Sequence, residues 1–202
     1  MISSGLISII VAFISGVIGP VAVRLILKRV EQKKDPLNEA FVLGEKVSEK
    51  LEQIQETYKC DRIYILQFHN GGHYYPTGKS IQKFSMFYEL VKDVKYSVRN
   101  SFQNVPVNMF SKSLRQLSQD DFIAISDYKD PSVATFGLKY IAEENGSRAS
   151  YIYAIRNIDD KLIGVMGLEY VKKIVLDPVE VQNLRIDASI IGGELSKYLQ
   201  SK

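Results

Sequence analysis

The hydrophobic pattern changes period several times along this chain, and each change marks an element. Residues 1–23 carry no charged side chain, and residues 6–23 are mostly Ile, Val, Leu, Phe, Ala and Gly. Leu25, Ile26 and Leu27 extend the run past Arg24. At 1.5 Å per residue, about 20 residues span a hydrocarbon layer of about 30 Å. The run therefore reads as one membrane-crossing helix, with Arg24 snorkelling to the interface. Positive charge follows the apolar stretch and none precedes it, so a cleaved secretion signal is not expected.

Beyond the run the period becomes 3.6. Asp35-Pro36 supplies a cap and a first-turn proline, and Leu37, Phe41, Val47, Leu51, Ile54 and Tyr58 then recur at helical spacing. Period-two and apolar runs follow. Strands are predicted at 62–69, 83–90 and 122–126, and a hairpin at 150–156 and 161–170 around Asn157-Ile158-Asp159-Asp160. Asn70-Gly71-Gly72 is expected to end the first strand. Helices are predicted at 107–117, after Pro106, and at 131–144, stopped by Asn145-Gly146. Asp177-Pro178 opens a last helix, with Val181, Leu184, Ile191, Leu195 and Tyr198 as its buried stripe. This order describes one α+β domain over 35–202 behind an anchor at 1–34. The terminal helices are expected on one face of an antiparallel sheet, leaving the other face to short helices, loops and a pocket.

Charge sharpens this picture. The net +3 of the 202 residues is concentrated at 24–34, where Arg24, Lys28, Arg29, Lys33 and Lys34 face only Glu31. The rest of the chain carries 21 basic and 22 acidic side chains. A nucleic-acid partner is not expected, because such a binder spreads positive charge over its folded domain. Basic residues just after the anchor place the domain in the cytoplasm, on a single-pass protein of the inner or plasma membrane. Ser8, Ala12 and Gly16 repeat every four residues, a spacing that lets two membrane helices approach closely, so self-association is expected there. One cysteine, Cys60, excludes an intramolecular disulfide and paired-cysteine metal or redox sites.

The stretch SYIYAIRNIDDKLIGVMGLEY followed by LDPVEVQNLRIDASIIGGEL resembles the closing hairpin and last helix of the GAF domain family, over about residues 37–199. Gly164 fits that hairpin as a point of close strand packing. The resemblance implies a GAF-like antiparallel sheet flanked by helices. It also implies a sensory or scaffolding module that binds a small molecule or a protein partner and is not an enzyme. The chain lacks the Asn-Lys…Phe-Asp-Glu pattern of the cyclic-nucleotide binders. Cys60 precedes the first strand, which is the wrong place for a bilin-attaching cysteine, and no cofactor is expected. A second resemblance, carried by one membrane helix joined to a compact domain and by the FHNGG…KFSMFYE stretch, is to the holins of T-even phages. It implies a lysis protein as the alternative. Those holins place their domain outside the inner membrane, against the charge pattern here.

The candidate site follows from composition. Ligand pockets combine apolar walls with a few placed polar groups. Phe68, His69, Asn70, His73 and Tyr75, with Phe84, Met86, Tyr88, Glu89 and Asp127, supply both kinds. His69 and His73 are the only histidines, too few for a zinc site, and no metal is expected. No nucleophile motif is present, and Cys60 has no visible activating partner.

Overall fold

The computed structural model describes Gly5 and residues 12–31, 35–74, 76–133 and 137–200. The chain divides into two compact units, Met1–Val42 and Leu43–Lys202. In the first, Ile14–Ile18 form a π-helical turn, and α1 (Gly19–Glu31) follows. Its large apolar side chains, from Phe13 through Leu27, are exposed. Residues 1–4, 6–11 and 32–34 of the expected anchor, Ser8 included, lie outside the described residues. Among the described residues no helix is long and apolar enough to cross a membrane. Ala12 is exposed, and a Cβ added at Gly16 would meet nothing within 4 Å.

Helix α2 (Pro36–Tyr58) begins as its cap predicts, with the Leu37 amide donating to Asp35 Oδ1 at 3.0 Å. Leu43, Val47, Leu51 and Ile54 are its buried positions, whereas Leu37 and Phe41 are exposed. Six antiparallel strands follow among the described residues: β1 (Arg62–His73), β2 (Ser80–Val91), β3 (Val105–Pro106), β4 (Phe122–Ile125), β5 (Ala149–Arg156) and β6 (Leu162–Tyr170). Their order across the sheet is β3-β2-β1-β6-β5-β4. Short helices α3 (Ser111–Asp120) and α4 (Leu138–Glu144) flank β4, and α5 (Pro178–Gln200) closes the chain.

Alternation along the strands sorts side chains onto two faces. Ile63 and Ile65 of β1, Tyr151, Tyr153 and Ile155 of β5, and Met166, Leu168 and Tyr170 of β6 share one core with α2 and α5. Leu184, Ala188, Ile191 and Leu195 form the buried stripe of α5, as predicted, with Val181 and Tyr198 packed at its edge. Lys46 pairs with Glu194 at 3.2 Å and Lys50 with Asp187 at 2.7 Å, which sets the two helices antiparallel. Each aliphatic side chain removed from water here contributes about 1.5–3 kcal/mol, so this core dominates stability. Gly164 allows the close approach expected of it: a Cβ there would lie 2.5 Å from the Leu66 carbonyl oxygen across the β1–β6 pair.

Several boundaries differ from the sequence pattern: the helix expected at 107–117 is a 3-10 turn (Val107–Phe110) followed by α3, which runs to Asp120. Asn70-Gly71-Gly72 does not end β1; the strand continues through it, with Asn70 opposite Gln82 and His73 opposite Ser80. The register shifts between those pairs, and Gly72 has φ +87°, so the glycines form a bulge rather than a turn. The chain reverses later, where the Gly78 amide donates to the Tyr74 carbonyl at 2.8 Å. The helix expected at 131–144 starts only at Leu138. Asp130 turns the preceding chain by accepting from the Ser132 amide at 2.8 Å, and Gly137 enters the helix at φ +84°.

Candidate functional site

The sheet face opposite α2 and α5 encloses a cavity of about 60 Å³. Its floor is Tyr64, Leu66 and Phe68 of β1, Phe84 of β2, Ile152 of β5, and Val165 and Glu169 of β6. Leu114 and Leu117 of α3, with Leu138, Ile141 and Ala142 of α4, form the roof, and Phe102 and Phe110 close the side. Phe84 meets Phe68 and Phe110 edge-on, with ring centroids 6.4 and 5.5 Å away. The chamber exists because strand alternation turns large apolar residues to this face while only two short helices cover them.

One end of the cavity is polar. Glu169, Tyr64 and Tyr128 meet there, and Ser150 lies opposite Glu169 in the β5–β6 register. Glu169 Oε2 accepts from Arg62 Nη2 and from Ser147 Oγ, and Arg62 Nη2 also donates to Ser147 Oγ at 3.0 Å. Arg62 reaches the Tyr96 carbonyl with Nη1, while its buried Nε has no partner among the described residues. Arg62 is 3% exposed and holds Glu169 from behind the cavity wall. Burial pushes the Tyr64 hydroxyl well above the usual tyrosine range, and the neighbouring Glu169 carboxylate adds to the shift. Burial also raises Tyr128 strongly. Both tyrosines are therefore neutral hydroxyls at physiological pH. Tyr64 lies flat across Gly167 on β6, where an added Cβ would come within 2.2 Å of its ring.

The structure scatters the residues predicted from composition. Phe68 and Phe84 line the cavity, and Met86 packs beside it with Tyr64 and Val98. His69 Nε2 lies 2.9 Å from Ser85 Oγ and does not line the cavity; Asn70 and His73 are exposed near the hairpin tip. Tyr75 lies outside the described residues. Tyr88 packs on the helix-side core. Glu89 accepts from Ser97 Oγ at 2.6 Å and from the Val98 amide at 2.8 Å, fixing the loop after β2. Asp127 pairs with Arg148 and accepts from the Lys129 amide at 2.9 Å. The Arg148 hydrogen bonds hold its carboxyl well below the usual range. Glu169, Tyr128 and Arg62 were not singled out by sequence, although a carboxylate inside the apolar run LIGVMGLEY is a visible signal. No group of three or more potential metal ligands occurs among the described residues.

A second, open groove of about 400 Å³ adjoins the cavity. Phe102, Phe110 and Ile141 line both spaces.

No family model matches the chain, and no curated protein does. Solved structures do share its fold. The photoproduct state of GAF3 from a Synechocystis protein aligns with TM-score 0.61 at 13% identity, over 78% of this chain and 95% of that one. The blue-light absorbing form of the Thermosynechococcus elongatus PixJ GAF domain gives 0.61 at 15% identity, over 80% and 89%. A far-red absorbing dark state with bound biliverdin gives 0.58 at 14%, over 82% and 99%. The unit Leu43–Lys202 thus has the GAF-like α+β fold: an antiparallel six-stranded sheet flanked by helices.

Proposed function

We propose that this chain is a membrane-tethered, non-enzymatic sensory module whose sheet-side cavity binds a small molecule and passes the event to a partner. The observation that carries the reading is the cavity itself: apolar walls on three sides and one polar end built from Glu169, Tyr64 and Tyr128. That combination is the usual form of a small-molecule site. The light-absorbing GAF domains of like fold support a sensory role. The uncharged apolar run before Arg24 and the exposed apolar side chains from Phe13 to Leu27 support the tether.

A biliverdin of the kind bound by one neighbour does not suit this chain. Pockets for drug-sized ligands run to roughly 300–1,000 Å³, and the inner cavity taken alone is about 60 Å³. The one thiol, Cys60, is buried in the core shared with α2 and α5, on the far side of the sheet. Burial pushes it up to about 12, so it is a protonated thiol and a poor nucleophile. Nothing in the fold favours the holin alternative.

The test is to fill the chamber. Leu114 is half-buried on α3 and points into the cavity. Leu114→Phe should leave the ligand-free melting temperature within a few degrees, since the added volume enters existing space. It should abolish stabilisation by any screened ligand, which at a hundredfold excess over Kd amounts to roughly 2.7 kcal/mol in the unsubstituted chain. Unchanged ligand stabilisation in Leu114→Phe would place binding elsewhere.

A further inference from the structure

The cavity is too small for most metabolites and the groove beside it is open, yet they share three walls. Phe102, Phe110 and Ile141 line both spaces, so they are the side chains at which the two adjoin. If those side chains turn, the spaces merge into one site inside the size range of small-molecule pockets. The inner end of that merged site limits the charge of its occupant. Glu169 repels an anion. A cation would have to compete with Arg62, which is buried, already paired with Glu169 and has no partner for its Nε among the described residues. Breaking a buried ion pair leaves a charge uncompensated and is strongly unfavourable. The Arg62–Glu169 pair is neutral as a whole, and what it shows the cavity is a carboxylate flanked by two hydroxyls. Those groups suit a neutral hydroxyl or N–H donor.

We infer that the inner cavity and the outer groove are two halves of one gated site for an uncharged, single-ring-sized molecule that donates a hydrogen bond to Glu169. This rests on the cavity being the sensory site and adds the class of its ligand. Apolar bulk packs on Phe68, Phe84 and Leu117, and the Phe102, Phe110 and Ile141 side chains turn aside on entry.

Matched one-ring probes test this by methyl NMR on the full chain in a membrane mimetic: phenol, toluene, benzoate and benzylammonium. Phenol should shift the methyl signals of Leu114, Leu117 and Ile152 saturably, about tenfold more tightly than toluene, because only phenol donates to a charged acceptor. Benzoate and benzylammonium should leave those signals unmoved. Glu169→Gln should reduce the phenol preference over toluene to less than threefold. Should that variant unfold once Arg62 is unpaired, Phe102→Ala provides the second test. It thins the shared wall and should speed phenol exchange while keeping the order of the probes. Tighter binding of either charged probe at the inner methyls overturns the ligand class and leaves the sensory cavity standing. If no probe moves the inner methyls, the cavity reading fails as well.

Discussion

Gly192 and Gly193 are neighbours on α5 with opposite surroundings. A Cβ at Gly192 would lie 2.3 Å from the Arg156 carbonyl oxygen, where backbone must move; one at Gly193 would meet nothing within 4 Å. Gly193→Ala should therefore stabilise the domain by about 0.5–1 kcal/mol through helix propensity. Gly192→Ala should lose about 1–3 kcal/mol by overpacking α5 against β5. Urea midpoints of the two variants measure this, and equal effects of the same sign would contradict the packing described. The pair also shows the limit of sequence at this scale. Two adjacent glycines in a helical pattern look alike until the strand beneath them is known. The same holds for the site: Phe68 and Phe84 were legible as pocket walls because they are aromatic and near a glycine-rich segment. Glu169 was not, because its facing depends on the β1–β6 register that sets Tyr64 against Gly167.

Elements were legible wherever a local signal and the tertiary packing agreed. Asp35 and Asp177 each announced a helix start, and both caps form. At α5 the cap is reciprocal: the Glu180 amide donates to Asp177 Oδ1 and the Asp177 amide to Glu180 Oε2, each at 2.8 Å. Asp177→Ala should remove one half of that exchange and cost about 1 kcal/mol, within the 0.5–2 kcal/mol usual for caps. The loss should appear in thermal melts and in faster amide exchange over the first turn of α5, with the β1–β6 amides unaffected at low denaturant. Uniform loss of protection would instead mean that α5 unfolds with the sheet. Signals misled where pairing overrode them. Asn70-Gly71-Gly72 has the composition of a turn, but Phe68, His69 and Asn70 find partners in Phe84, Lys83 and Gln82, and the ladder runs on. The helical pattern at 131–144 fails at its start because Asp130 offers its carboxylate to the Ser132 amide and hydroxyl, which competes with helix formation.

At the scale of the whole molecule, the buried hydrophobic core among the described residues lies within 43–195, while the exposed apolar side chains preceding α2 belong to the other compact unit. Folding and membrane attachment should therefore separate cleanly at the cap of α2. A chain beginning at Asp35 keeps the α2 cap and every residue of the buried hydrophobic clusters, so it should fold without residues 1–34. It should show a dispersed amide spectrum and the same phenol-sensitive methyl signals as the full chain. If the proposed tether holds, the full chain should float with vesicles and resist alkaline carbonate extraction, as an inserted apolar helix of about 20 residues does. The shortened chain should stay in the supernatant. On the proposed tether, the basic residues at 24–34 favour a cytoplasmic domain, so a reporter that works only in the cytoplasm should be active when fused after Lys202. Gly16→Ile, which closes the small-residue face, should weaken self-association of the full chain in membranes. A shortened chain that is folded yet still floats would show that the domain holds the membrane itself, and the tether would then be the wrong account of residues 1–34. A fused reporter active only outside the cytoplasm would reverse the orientation and with it the side from which the cavity is reached.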